Sequence, residues 1–195
     1  VTLIRTTAHD LARALAAADA HRAGHRDLDL DAVRLEIAPG ALLAIGTDRY
    51  TLAAARADAT TYGAQATAVL DGPEADRLLA DARRLAGLDG DLETAVSIDT
   101  AEETLTLTSC GCRIEQTYLL APADRGPGAL DWRDHIDRTA AQVRPQAPVR
   151  LTPRLLGRFT QGGTGRMQVV ASGEIDGQPE LARAALVTVD DWLVG

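Results

Sequence analysis

Between Ala32 and Ala59 the stretch AVRLEIAPGALLAIGTDRYTLAAARADA leaves little choice but short strands joined by tight corners. Val33, Leu35 and Ile37 alternate with polar neighbours, Pro39-Gly40 turns the chain, and Ala41 to Ile45 is an apolar run. Thr47-Asp48-Arg49 turns it again, into Tyr50, Leu52 and Ala54. A meander of this kind has one wet face and one dry face, so a helix must cover the dry one. The preceding segment supplies it. Residues 1–5 alternate like a strand, and Thr7 with Asp10 three residues on resembles a capping box ahead of a helix to about Arg22. Leu11, Leu15 and Ala18 mark its apolar side, and His9, Arg13 and His21 fall on the other.

The same order of strand, helix and meander recurs from Ala66. ATAVL reads as a strand and Asp71-Gly72-Pro73-Glu74 as a helix start, with Ala75, Leu78, Leu79, Ala82 and Leu85 at helical spacing. Strands are expected at 92–99, 104–108 and 112–120, then a loop over 122–128 ending in the corner Leu130-Asp131-Trp132. A polar stretch beyond Asp137 reads as a linker. A shorter third pass has a strand at VRL, a Thr152-Pro153 cap, and Leu155, Leu156 and Phe159 on one face of a brief helix ending at Gly162-Gly163. Strands over 167–172, 182–189 and 192–194 close it. The units amount to an internal repeat of α+β class. Side by side, two of them would place two helices on one face of a continuous sheet. The expected organisation is a complete domain over 1–137, built from units 1–65 and 66–137, a linker over 138–147, and a half domain over 148–195.

Composition narrows the function. At 46% apolar residues the chain has enough for a core, but aromatic residues are only 3%, so few rings are available to stack on bases or sugars. A net charge of -8 argues against indiscriminate nucleic-acid coating while permitting one basic surface. Cys110 and Cys112 give no disulfide framework, which fits a reducing compartment. No apolar run approaches a membrane span and the start is not a signal peptide, so a cytoplasmic location is expected, with no membrane partner. Because residue 1 is Val, the sequence is expected to begin inside a longer polypeptide.

No catalytic constellation is legible, so the expectation is a protein that is not an enzyme and has no cofactor. Cys110-Gly111-Cys112 lacks a second ligand pair at metal spacing. Asp27, Asp29 and Asp31 alternate like calcium ligands without the Gly and closing Glu of such a loop, which favours a solvated stretch leading into the strand. Gly162-Gly163-Thr164-Gly165 follows a helix rather than opening one, so it is no phosphate cradle.

The corner IGTDRYTLA, from Ile45 to Ala53, together with the AVRLEIAPGALLAI before it, resembles the middle domain of the bacterial DNA polymerase III beta sliding clamp family. The LLADARRL helix and the LDWRDHI segment from Leu130 to Ile136 are similar to that domain's second unit. The resemblance covers the chain to about residue 137, and from Pro148 the chain looks like the second half of the family's last domain. It implies a DNA-clamp fold of repeated β-α-β-β-β units with antiparallel sheets outside and helices on one face. By the same resemblance the family's partner-peptide cleft maps to Leu30, Thr47, Arg49, Tyr50, Thr51 and Leu52, where a Leu floor beside hydroxyls suits an extended peptide. Arg49 and Thr51 depart from the family's Gly and Arg. The alternative at this corner is a plain turn in which Asp48 bonds to its own backbone.

DNA-facing helices would carry Arg13, Arg22, Arg77, Arg83, Arg84, Arg154 and Arg158. The alternative is a solvated mixed-charge face in which Arg77 pairs with Asp81. The leading expectation is therefore a non-catalytic clamp-like module whose partners are a protein or peptide at the corner and double-stranded DNA at the helices. A rival is the effector or oligomerisation domain of a transcriptional regulator with a helix-turn-helix upstream of residue 1. A homo-oligomer is expected in either case, because a half domain leaves a sheet edge unpaired.

Overall fold

The computed structural model describes residues 1–24, 27, 30–109, 111, 114–144, 153–163, 165–172 and 184–195. Its first unit is β1 (Thr2–Thr7), α1 (Ala8–Ala20), the meander β2 (Ala32–Ala38), β3 (Ala41–Thr47) and β4 (Leu52–Asp58), and a short β5 (Thr60–Tyr62). The second is β6 (Ala66–Asp71), α2 (Gly72–Leu88), β7 (Glu93–Asp99), β8 (Thr104–Ser109) and β9 (Ile114–Leu119). Then follow α3 (Trp132–Ala141), β10 (Val143–Arg144), a single turn α4 (Pro153–Leu156) continued as a 3-10 turn over Gly157–Thr160, β11 (Met167–Ser172), β12 (Ala184–Val189) and β13 (Leu193–Val194). The expected VRL strand and Thr152 cap, and Cys110 and Cys112, lie outside the described residues.

The helices begin where the sequence says they should. Thr7 Oγ1 accepts the Asp10 N–H at 3.0 Å, and Asp71 Oδ1 accepts the Glu74 N–H at 3.1 Å with Pro73 in the first turn. Asp131 does the same for Asp134 at 3.1 Å, starting α3 inside the stretch read as a corner. The expected linker is thus structured at its start: α3 runs on to Ala141, and β10 pairs with β11.

The first two units do not share one continuous sheet as expected. They exchange leading strands. β1 pairs with β7 in a five-stranded sheet ordered β5-β1-β7-β8-β9, while β6 pairs with β2 in an eight-stranded sheet ordered β10-β11-β12-β13-β4-β3-β2-β6. Every pairing is antiparallel. α1 and α2 pack together beneath both sheets, and Leu11, Leu15, Leu78 and Leu85 join Ile4, Leu35, Leu42, Val96 and Leu105 in one aliphatic core.

The opening meander also has no wet face over most of its length. Leu35, Leu42, Ala44, Ala53 and Ala55 turn towards α1 and α2, whereas Ile45, Leu52 and Ala54 turn the other way and pack with Trp132, Leu43 and Ile136. α3 is the second cover. Its composition is too polar to dock by area alone, and a polar anchor holds it: Trp132 Nε1 donates to the buried Glu36 Oε1 at 2.9 Å, and Arg133 reaches Oε2 at 2.6 Å. Burial pushes the Glu36 carboxyl up, but the bonds from Arg133 and Trp132 and the charge of Arg34 bring it below the ordinary glutamate value.

α1 is packed along most of its surface, with His9 left exposed, which accounts for its alanines. A Cβ on Gly46 of β3 would stand 2.0 Å from the Ala18 carbonyl oxygen, so helix and strand backbones are in direct contact there. On another side the third unit docks. A Cβ on Gly162 would meet the Trp192 ring at 2.6 Å and the Arg13 carbonyl at 2.9 Å, and the Arg13 guanidinium lies 4.8 Å from the Trp192 ring centre. β13 pairs with β4 through Leu193↔Ala55 and Val194↔Ala54, and the Arg56 N–H donates to the Trp192 carbonyl at 2.6 Å. The β4 side of the expected half domain is therefore paired within the chain.

His21, placed on the polar side by spacing, is instead fully buried where the third unit covers the end of α1. Its ring meets Phe159 edge-on at 4.4 Å, and neither ring nitrogen has a hydrogen-bond partner among the described residues. Burial, with the Arg158 charge nearby, lowers its pKa to about 4 despite the opposing pull of Asp48.

These contacts fix two outcomes. Gly46→Ala forces the strand and helix backbones apart and is expected to destabilise by about 3 kcal/mol or more, whereas Gly87→Ala, with open space around it in α2, is expected to stabilise by roughly 0.5–1 kcal/mol. Urea unfolding midpoints of the two variants read both effects. The unfolded chain protonates His21 below about pH 6.5 while the folded chain resists until about pH 4, so stability is lost as pH falls through that window, by about 3 kcal/mol in total. His21→Leu is expected to remove that share of the slope; equal slopes in variant and wild type would refute it.

Candidate functional site

The corner between β3 and β4 is built around one carboxylate. Asp48 Oδ1 accepts the Tyr50 N–H at 3.0 Å, the Thr51 N–H at 2.8 Å and the Thr51 hydroxyl at 2.9 Å. Thr47 Oγ1 donates to the Thr51 carbonyl at 2.9 Å, and the Asp48 N–H donates to the same oxygen at 3.1 Å. The turn reading of Asp48 is thus realised, and it coexists with a cleft. Burial pushes the Asp48 carboxyl up, but the bonds from Arg158 and Thr51 draw it below the ordinary aspartate value. Arg49 sits at φ 76°, the left-handed region that favours glycine. Its guanidinium holds Asp27 at 2.6 Å.

Leu30, Thr47, Arg49, Tyr50, Thr51 and Leu52 all line one cavity of about 310 Å³. Gly126, Leu130 and His135, which sequence reading did not place at the cleft, complete its wall. His135 arrives with α3, and Gly126 and Leu130 with the 3-10 turn Gly126–Ala129 just ahead of it, which packs on β2 and β3; the one local trace in the sequence is Asp131 with Asp134 three residues later, an N-cap pattern. Leu30, Leu52 and Leu130 make the lining apolar, and Tyr50 stands at its rim with 88% of its surface exposed. The Thr47 and Thr51 hydroxyls are engaged within the corner itself. The cavity can therefore offer an incoming chain apolar side chains and an unsatisfied aromatic surface more than free hydroxyls.

The helix arginines separate into distinct settings. Arg22, only 10% exposed, is enclosed by Asp19 at 3.1 Å, Asp31 at 2.9 Å and Asp76 at 2.6 Å, and donates to the Gly72 carbonyl at 2.7 Å. It ties α1, the residue just ahead of β2, and α2 together. Asp31 is accordingly buried, not solvated as expected. Arg13 pairs with Asp10 at 3.0 Å, Arg84 with Asp81 at 3.0 Å, and Arg77 with Glu74 at 2.7 Å rather than with Asp81. The Asp81 carboxylate instead receives the Tyr118 hydroxyl at 2.8 Å. Arg158 turns inward to Asp48 at 2.5 Å. Arg83 and Arg154 are exposed and form no ion pair with a described residue. They share a surface notch of about 380 Å³ with Arg158, Gln161 and Asp19. Burial pushes the Asp19 carboxyl up, against the pull of Arg22 and Arg83.

Among the described residues no cluster of His, Cys, Asp or Glu is arranged to hold a metal ion, and no helix is long and apolar enough to cross a membrane.

No family model and no curated protein matches the sequence. Solved structures do match the fold. The DNA polymerase III beta chain of Streptococcus pneumoniae TIGR4 superposes with a TM-score of 0.68 at 11% identity, covering 100% of this chain and 63% of that one. The Borrelia burgdorferi DNA polymerase III beta subunit, solved with a natural product, gives 0.64 at 8% identity over 100% and 64%. The Helicobacter pylori beta clamp, solved bound to a DNA ligase peptide, gives 0.63 at 11% identity over 98% and 64%. The chain spans less than two thirds of the length of each of these proteins. At these identities the likeness establishes the architecture: the chain has the fold of the bacterial beta sliding clamp.

Proposed function

We propose that this chain is a non-catalytic, clamp-type binding module that takes an extended peptide at the β3–β4 corner. One observation carries the reading: the residues picked from sequence for a peptide cleft, Leu30, Thr47, Arg49, Tyr50, Thr51 and Leu52, line a single cavity. The Helicobacter pylori clamp of the same fold was solved with a DNA ligase peptide, which gives the ligand class a precedent. An apolar anchor from the peptide fits between Leu30, Leu52 and Leu130, with Tyr50 closing over it. Clamp-domain division of the chain at about residue 137 and a cytoplasmic location belong to the same reading.

Double-stranded DNA is the second partner proposed, held at the notch that the exposed Arg83 and Arg154 line, neither of which forms an ion pair with a described residue. A second copy of the chain is the third. β9 is the counterpart in the second unit of β4, which pairs with β13; β9 ends its sheet with no strand beyond it among the described residues. Light scattering at the mass of one chain over a wide concentration range would exclude the oligomer.

Fluorescence anisotropy with the labelled ligase peptide, alongside short peptides carrying Leu or Phe anchors, tests the cleft. Tyr50→Ala leaves the fold intact and is expected to weaken binding roughly tenfold, as loss of an aromatic hot spot does. No binding by wild type to any of these at millimolar peptide would sink the peptide reading. For DNA, the double variant Arg83→Ala/Arg154→Ala is expected to reduce the slope of log affinity against log salt by about 2. Absence of DNA binding by wild type at low salt would remove that partner.

A further inference from the structure

Arg158 comes from the third unit, yet its guanidinium ends inside the corner that walls the cleft. Its Nη1 donates to Asp48 Oδ2 at 2.5 Å and to Thr51 Oγ1 at 2.7 Å, across more than a hundred residues of sequence. The pair is shielded: the side chains of Arg158 and Asp48 are 21% and 12% exposed. Asp48 Oδ1 already holds the Tyr50 and Thr51 amides and the Thr51 hydroxyl, so Arg158 supplies the bond on the other oxygen and fixes the carboxylate's rotation. The arginine is itself held in place. Its neighbour Phe159 is buried against His21, and a Cβ on Gly195 would touch both Phe159 and the Leu52 carbonyl.

We propose that Arg158 is a positioning residue for the cleft: by bonding Asp48 and Thr51 from the third unit, it holds Arg49, Tyr50 and Thr51 in their peptide-facing arrangement. The proposal rests on the peptide-binding reading above for its functional half. Its physical basis is the charge-assisted bond in a low-exposure setting, where planar two-directional donation suits Arg and where removing one partner leaves a half-buried carboxylate without its counter-charge. It makes the corner competent only while the third unit is docked. The last part of the chain thereby acts on a site whose lining, among the described residues, comes entirely from the first two units and the segment leading into and through α3.

The test compares the full chain with Arg158→Met and Arg158→Lys by NMR amide hydrogen exchange and by anisotropy with the labelled ligase peptide. In Arg158→Met the Tyr50 and Thr51 amides are expected to exchange roughly tenfold faster or more, the loss of one charged hydrogen bond, while α1 and β3 amides keep wild-type rates. Peptide affinity is expected to fall by a similar factor, and Arg158→Lys, which keeps the charge and donors, to recover a measurable part of both. Wild-type exchange at Tyr50 and Thr51 in Arg158→Met overturns the proposal, and so does unchanged peptide affinity. Loss of protection throughout α1 and β3 also overturns it, because Arg158 then supports the fold and not the corner. If wild type binds no peptide, the peptide reading fails by itself, and the exchange rates alone decide whether Arg158 fixes the corner.

Discussion

Everything in this structure is arranged around a helix that has to be thin. At Ala18 the α1 backbone rests directly on β3, with no room at Gly46 for even a methyl group. A helix that also meets α2 on one flank and the third unit at Arg13 and His21 on another cannot carry large side chains where it is touched. Alanine meets that demand without loss of helix propensity, and the facing strands answer with Ala44, Ala53, Ala55 and Ala57. The larger residues, Leu11 and Leu15, are left to fill the core shared with α2 and the sheets. Close approach in one place thus sets where the sheets, the second helix and the third unit sit.

Charge follows the same geometry. An acidic chain whose basic residues are all arginine uses many of them internally: Arg22 gathers carboxylates from α1, from Asp31 just ahead of β2 and from α2, Arg133 and Arg34 meet Glu36 beneath α3, and Arg158 meets Asp48 at the corner. Arg22, Arg133 and Arg158 each carry a planar donor set to carboxylates outside their own element, a task for which a lysine would be poorly shaped. Arg49 shows the other side of this economy. Its left-handed backbone costs of order 1 kcal/mol or more in a residue with a Cβ, and the ion pair to Asp27 helps hold it there.

Local features were legible in the sequence and tertiary ones were not. The meander and the Thr7 and Asp71 caps could be read because alternation, capping and turn chemistry act over a few neighbours, whereas the six residues that share the corner cavity were grouped only through the resemblance to the clamp family. α3 could not, since Trp132 and Ile136 alone give too faint an apolar face and the helix is anchored by Glu36 from a strand nearly a hundred residues earlier. His21 and Asp31 were read as exposed because polar residues usually are; a packed third unit and a buried arginine override that preference. Nothing local distinguishes one continuous sheet from two that trade strands. That choice is made by which unpaired edge lies nearest once both helices have packed.

The traded strands bear on how the chain is made. β1 finds its long partner only in β7, and β2 finds its outer partner only in β6, so the repeat visible in the sequence is not a unit that can fold by itself. Until β6 is made the outer edge of β2 is open, and until β7, ending at Asp99, is made β1 has only the short β5 beside it among the described strands. Nascent chains shorter than that are the species most exposed to edge-to-edge aggregation.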